Sequence, residues 1–278
     1  MLTHGGNLRA LAEKFNLESH EIIDFSANIN VLGFPSWVRP LINRDICRVI
    51  HYPDWDYKNL ITSLEKYTGR RKSEISLGNG ISEILYLLPL ALDFEKAIIP
   101  IPTFSEYEKV CHLHNKEVIS VDLKEEESFS LHCSSIEKEI ENNKENKLAV
   151  FLCHPNNPTG MGLDFETLKR CIKKYPQVYF IIDEAFIYFS ELESFSSLND
   201  DNIIMLYSLT KVLALPGLRF GYCLSSEKNC NKIKKFLPPW NINIFADSIV
   251  SEFFKKEKKF LEKTVEENRK LKNDFLTK

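Results

Sequence analysis

The sequence has no surplus of positive charge: 36 Lys and Arg stand against 39 Asp and Glu, giving a net charge of -3. No basic footprint for nucleic acid follows from that balance. There is no long apolar run either. The longest, Ile84-Leu85-Tyr86-Leu87-Leu88-Pro89-Leu90-Ala91-Leu92, is too short to span a bilayer and carries a proline. The first residues lack a charged-then-apolar export pattern. The seven cysteines are an odd number with no Cys-x-x-Cys pair, which points to a reduced, cytoplasmic setting rather than a disulfide framework. Cysteine and histidine do adjoin at Cys111-His112, His132-Cys133 and Cys153-His154, but each pair stands alone on a different expected element, so no metal site is expected. Internal repeats are absent.

What remains is a chain of 278 residues, 44% hydrophobic and 12% aromatic, long enough to bury a full core. Short β-branched and aromatic runs recur at 97–101, 118–121, 148–152, 178–182, 203–206 and 220–224. Several are apolar throughout rather than alternating, as in strands covered on both faces. Helical patterns lie between them, at 56–67, 82–92, 104–114, 134–143, 164–174 and 229–236, with Ser134 and Asp164 as expected caps. The expected fold is therefore α/β, a mostly parallel central sheet with helices on both faces. From Asn243 onward there is no proline or glycine, and Val250, Phe254, Leu261 and Val265 mark one face of a long helix. That helix is expected to pack on the main body or on a second subunit.

Ligands of open α/β sheets bind beyond the carboxyl ends of the strands. Asp183 closes one apolar run, Ser208 closes another, and Asn157 follows a third through the turn Pro155-Asn156-Asn157-Pro158. Lys211 comes three residues after Ser208. A lysine able to form a Schiff base, an acid for a ring nitrogen and a donor for a ring oxygen are the parts needed to hold pyridoxal 5'-phosphate. Each has a plainer use: Lys211 as a surface cation, Asp183 as a helix cap, Asn157 as a turn residue. Their joint order favours the cofactor. Asp183 is expected to face the crevice, with Glu184 the more exposed of the two acids. Arg219 would supply positive charge near Lys211 and pair with a phosphate. Gly78-Asn79-Gly80-Ile81-Ser82 opens a helix, where Gly80, Ile81 and Ser82 would offer backbone amides to that phosphate, although a Gly-x-Gly turn also serves simply as a turn. Phe104 would stack on the ring or pack in the core.

The order Gly78-Asn79-Gly80, Pro102-Thr103-Phe104, Asn157-Pro158-Thr159-Gly160, Asp183-Glu184-Ala185, Ser208-Leu209-Thr210-Lys211 and Gly217-Leu218-Arg219-Phe220-Gly221 resembles the class I/II aminotransferases, pyridoxal phosphate enzymes of fold type I. Within them Thr3-His4-Gly5-Gly6-Asn7, Asp24 to Asn30, Tyr52-Pro53-Asp54, Pro102-Thr103-Phe104-Ser105-Glu106-Tyr107 and Pro239-Trp240-Asn241 are most similar to the threonine-phosphate decarboxylases of cobalamin synthesis, relatives of histidinol-phosphate aminotransferases. The resemblance implies decarboxylation of O-phospho-L-threonine to aminopropanol phosphate. It also implies that His4 and Asn28 help bind the substrate phosphate and that Tyr52 reaches the cofactor of a neighbouring subunit, hence a homodimer. Phe186 stands where aminotransferases of the family carry a tyrosine, which tilts the expectation toward decarboxylation. Histidinol-phosphate-type transamination is the alternative. The implied organisation is an N-terminal arm and part of a small domain over 1–35, a large cofactor domain over 36–245 and the helical start of a truncated C-terminal small domain over 246–278. Family members continue further, with arginines that grip substrate and have no counterpart here, so a truncated cofactor binder with little activity is a second alternative.

Overall fold

The structure is a computed structural model and describes residues 5–277. The chain enters through α1 (Leu8–Phe15), α2 (Val38–Asp45) and α3 (Lys58–Thr68), then alternates strand and helix. In order these are β1 (Ile75–Gly78), α4 (Ile81–Ala91), β2 (Lys96–Ile101), α5 (Glu106–Leu113), β3 (Glu117–Asp122), α6 (Cys133–Asn142), β4 (Leu148–Cys153), α7 (Phe165–Lys174) and β5 (Tyr179–Asp183). Then come β6 (Ile203–Ser208), β7 (Gly221–Ser225), α8 (Glu227–Lys234) and the long α9 (Ile244–Leu276).

The seven strands form one sheet in the order β1-β7-β6-β5-β4-β2-β3. Pairs from β3 across to β6 are parallel, whereas β7 runs antiparallel to both β6 and β1. Strands β4, β6 and β7 are buried at every position, as their unbroken apolar runs require. Period two then divides each strand between two cores. Ile98, Val150, Ile182 and Met205 face the layer containing α3, α6, α7 and the start of α9, while Ile99, Phe151, Ile181 and Leu206 face α4, α5 and α8.

Two expectations about helix ends separate here. Asp164 caps α7, its carboxylate accepting from the Thr167 amide at 2.8 Å. Ser134 does not start α6: the helix begins at Cys133 after an extended His132 that makes no side-chain cap. The expected tail helix is α9, with Asn243 as its N-cap. Val250 and Phe254 are buried against the body, Leu261 and Val265 only half so. Among the described residues, no helix is long and apolar enough to cross a membrane.

Candidate active site

Parallel strands deliver their carboxyl ends to one edge, and register sets what meets there. Cys153 pairs with Asp183, Asp183 with Leu206, and Ser208 with Gly221. A cleft of about 900 Å³ opens above this edge, lined among others by Ser82, Phe104, Asn157, Phe186, Lys211 and Arg219. Asn28 and Gly6 reach it from the N-terminal segment. His4 lies outside the described residues.

Lys211 is half-buried, its ammonium 5.2 Å from the centre of the Phe186 ring. Burial pushes its pKa below the ordinary lysine range; the Asp183 carboxylate opposes that shift and the Arg219 guanidinium adds to it. Its backbone is clasped by Asn30, whose amide donates to the Lys211 carbonyl at 3.1 Å. The Asn30 side chain donates to the Val212 carbonyl at 2.7 Å and to Thr264 Oγ1 on α9 at 2.9 Å. A buried, fully bonded asparagine thus joins three distant segments beneath the lysine.

Asp183 ends β5 and is only 3% exposed. Its Oδ2 accepts from the Tyr107 hydroxyl at 2.7 Å and its Oδ1 from the Ala185 amide at 2.9 Å. Burial raises its pKa, while those two bonds and then Lys211 pull it back. Glu184 departs from expectation. It is not the more exposed acid but completely buried, because alternation sends it to the opposite face of the sheet and that face is covered too. There it accepts from Ser194 Oγ at 2.6 Å and the Phe195 amide at 2.7 Å, and burial pushes it up to about 7.

The anion-binding end is built from glycine geometry. Gly80, at φ +78°, precedes α4, and a Cβ there would lie 2.5 Å from Arg219 Nη2. Only a residue without a side chain lets the guanidinium lie against the helix start. Across from it, a Cβ on Gly221 would fall 2.5 Å from the Ile81 nitrogen. The first amides of a helix have no intrahelical acceptor and carry the positive end of its dipole, so Ile81 and Ser82 present donors beside Arg219. The Ile81 side chain itself belongs to the core. Ser208 is buried at the strand end and shares a hydrogen bond with Thr210 at 2.9 Å, and it is Thr210 that lines the cleft.

Asn156 holds the loop after β4. It accepts from Thr103 Oγ1 at 2.8 Å and donates to the Pro102 carbonyl at 3.0 Å, which leaves Asn157 to face the cleft. His154 is an internal strut: Nδ1 accepts from the Leu163 amide and Nε2 donates to the Glu193 carbonyl, so the neutral ring is fully used. Tyr52 is set apart from the residues that line the cleft. It is 78% exposed and stacked on Trp240 at 4.4 Å, outside the Lys211 cleft of its own chain.

The family model described as "Aminotransferase class I and II" matches residues 20–275. The chain belongs to that family. An adenosylcobalamin biosynthesis bifunctional protein of Leptospira interrogans is 42% identical over 248 residues, covering 88% of this chain and 29% of that protein. The threonine-phosphate decarboxylase of Salmonella typhimurium is 33% identical, covering 87% of this chain and 67% of its own length. The crystal structure of histidinol-phosphate aminotransferase from Clostridium acetobutylicum superposes with a TM-score of 0.83 at 32% identity, over 92% of this chain and 76% of that one.

In this class I and II aminotransferase chain the residues present fit pyridoxal phosphate. The cradle at Gly80 and Gly221 that a Cβ would fill suits a phosphate, the depressed Lys211 suits a carbonyl carbon, and the buried Asp183 suits a protonated ring nitrogen. Tyr107, Thr210 and Asn30 stand inside the motifs that carry the resemblance, but the sequence assigned none of them a role of its own. Tyr107 sits in the first turn of α5, three residues after Phe104, and the two rings meet edge-on at 5.6 Å.

Proposed function

We propose that the chain binds pyridoxal phosphate through Lys211 and decarboxylates O-phospho-L-threonine to an aminopropanol phosphate. What supports this reading is that Lys211 and Arg219 line one cleft, with the Asp183 carboxylate acting on the Lys211 charge and Gly80 lying against Arg219, in a chain 42% identical to a cobalamin-synthesis protein. When bound, the cofactor supplies a cationic aromatic ring that accepts the electron pair of the breaking bond. The chain's residues do the rest. Asp183 holds the proton on the ring nitrogen, Asn157 donates to the ring oxygen, Phe104 packs on the ring face, and Ser208, Arg219 and the amides of Gly80, Ile81 and Ser82 hold the phosphate. The bond from Cα to the carboxylate breaks and carbon dioxide leaves; Lys211, having taken a proton from the substrate's ammonium group, would deliver it to Cα, so that the zwitterionic amino acid becomes the amine plus carbon dioxide with charge and atoms balanced. His4 and Asn28 are assigned to the substrate phosphate.

We read residues 1–35 as an arm and part of a small domain, 36–245 as the cofactor domain and 246–278 as small-domain helix, in a cytoplasmic homodimer whose exposed Tyr52 serves the neighbouring subunit. Histidinol-phosphate-type transamination is the second reading, favoured by the 32% identity to the Clostridium acetobutylicum structure. Against it stands Phe186, which has no hydroxyl to offer a ring oxygen. The experiment is to load the purified chain with cofactor, add phosphothreonine and measure carbon dioxide with and without a 2-oxoacid. Release without the acceptor supports the decarboxylase. Amino transfer only with the acceptor supports the second reading, and tight binding with neither product means a cofactor-binding protein without turnover.

A further inference from the structure

Against Asp183 lies a buried polar side chain to which the proposed chemistry assigns no part. Tyr107 is 1% exposed, its ring edge-on to Phe104 at 5.6 Å and 5.8 Å from Phe151, and its hydroxyl donates to Asp183 Oδ2 at 2.7 Å. The other carboxylate oxygen takes the Ala185 amide. Each oxygen of Asp183 therefore has one fixed donor and keeps lone pairs for a further one. Besides Tyr107, the titratable and charged groups around this carboxylate are Lys211, Cys153 and Glu184. Phe104 and Tyr107 come from one turn of chain, so the candidate ring-stacking residue and the donor to Asp183 move as a unit.

We infer that Tyr107 is a positioning residue: its hydroxyl keeps the buried Asp183 ionised and orients that carboxylate toward a protonated ring nitrogen. The inference rests on the pyridoxal phosphate reading. Burial works against a charged carboxylate, and a hydrogen bond to the charged form works the other way. Tyr107 is suited to that task because it stays neutral. Burial first, and then the Asp183 charge, hold its own ionisation well above the ordinary phenol range. A neutral carboxyl in this place would not balance a pyridinium.

The test compares dissociation constants for pyridoxal phosphate and for its analogue with carbon in place of the ring nitrogen, in the wild type and in Tyr107→Phe. Phenylalanine keeps the ring packing and deletes one donor. The expected result is a loss of about tenfold or more for pyridoxal phosphate, the scale of one hydrogen bond to a charged group. The analogue should lose less than about twofold, because it has no nitrogen to pair. In an Asp183→Asn background, Tyr107→Phe should add no selective loss. Equal weakening of both ligands, or no change in either, would overturn the positioning role and leave a packing residue. A wild type that binds neither ligand would instead remove the cofactor reading itself. Should Tyr107→Phe not fold, the nitrogen-15 shift of labelled cofactor on the wild type decides: a protonated ring nitrogen at neutral pH is expected, and a neutral one overturns the inference.

Discussion

Asp183 and Glu184 are adjacent in sequence and almost equally buried, yet they stand on opposite sides of the sheet and in opposite company. On the cleft side Asp183 has a tyrosine, an amide and, beyond them, a lysine ammonium. On the far side Glu184 has a serine hydroxyl and an amide. Burial raises the pKa of both. The difference teaches that depth alone does not mark a functional acid. What distinguishes Asp183 is its interaction with the charge of Lys211, a residue that lines the cleft.

The comparison is broken most forcefully by neutralising each acid in turn. Asp183→Asn should lower pyridoxal phosphate affinity by about a hundredfold or more, as loss of one partner from a buried charge pair does, seen by titrating the cofactor's absorption. Glu184→Gln should leave that affinity within about threefold and act on stability instead. Its folded pKa is raised, from 4.5 to about 7, so its contribution is fully present below the ordinary carboxylate range and is lost as pH rises through about 7. Denaturant melts of the wild type should therefore weaken by about 3 kcal/mol across that window, and Glu184→Gln should flatten the decline. A Glu184→Gln variant with an unchanged pH slope would show that the buried acid is not what titrates.

Gly221→Ala sharpens the cleft side. Its Cβ would meet the Ile81 nitrogen at the start of α4, so we expect a stability loss of about 1–3 kcal/mol together with weaker phosphate binding, measurable by melts and by competition with inorganic phosphate. Smallest is Asp164→Ala, far from both acids. It should cost about 1 kcal/mol through the lost α7 cap and leave cofactor affinity alone.

The central strands were legible because β4, β6 and β7 are apolar without interruption, and that pattern has few other uses. Strand β1 was not, since Ile75-Ser76-Leu77-Gly78 is four residues long and ends in glycine, and its burial comes from the antiparallel β7 beside it rather than from its own composition. The helix α2 was missed for a similar reason: with Pro40 and mixed polarity it is defined by its packing on α9. At the site, Lys211, Asp183 and Arg219 could be named from order along the chain because strand ends converge by topology. The exposure of Glu184 could not, because alternation says which face a residue takes but not what covers that face. Tyr107 and Asn30 escaped because their roles are contacts between segments, 76 residues apart for Tyr107 and Asp183 and 182 for Asn30 and Val212.

The account stands on the covalent role of one amine. The direct measurement is to incubate the chain with pyridoxal phosphate, reduce it with borohydride and map the modified peptide by mass spectrometry. One cofactor per chain, on the peptide carrying Lys211 and absent from Lys211→Ala, is the result predicted. Label spread over surface lysines, or undiminished in that variant, would contradict it.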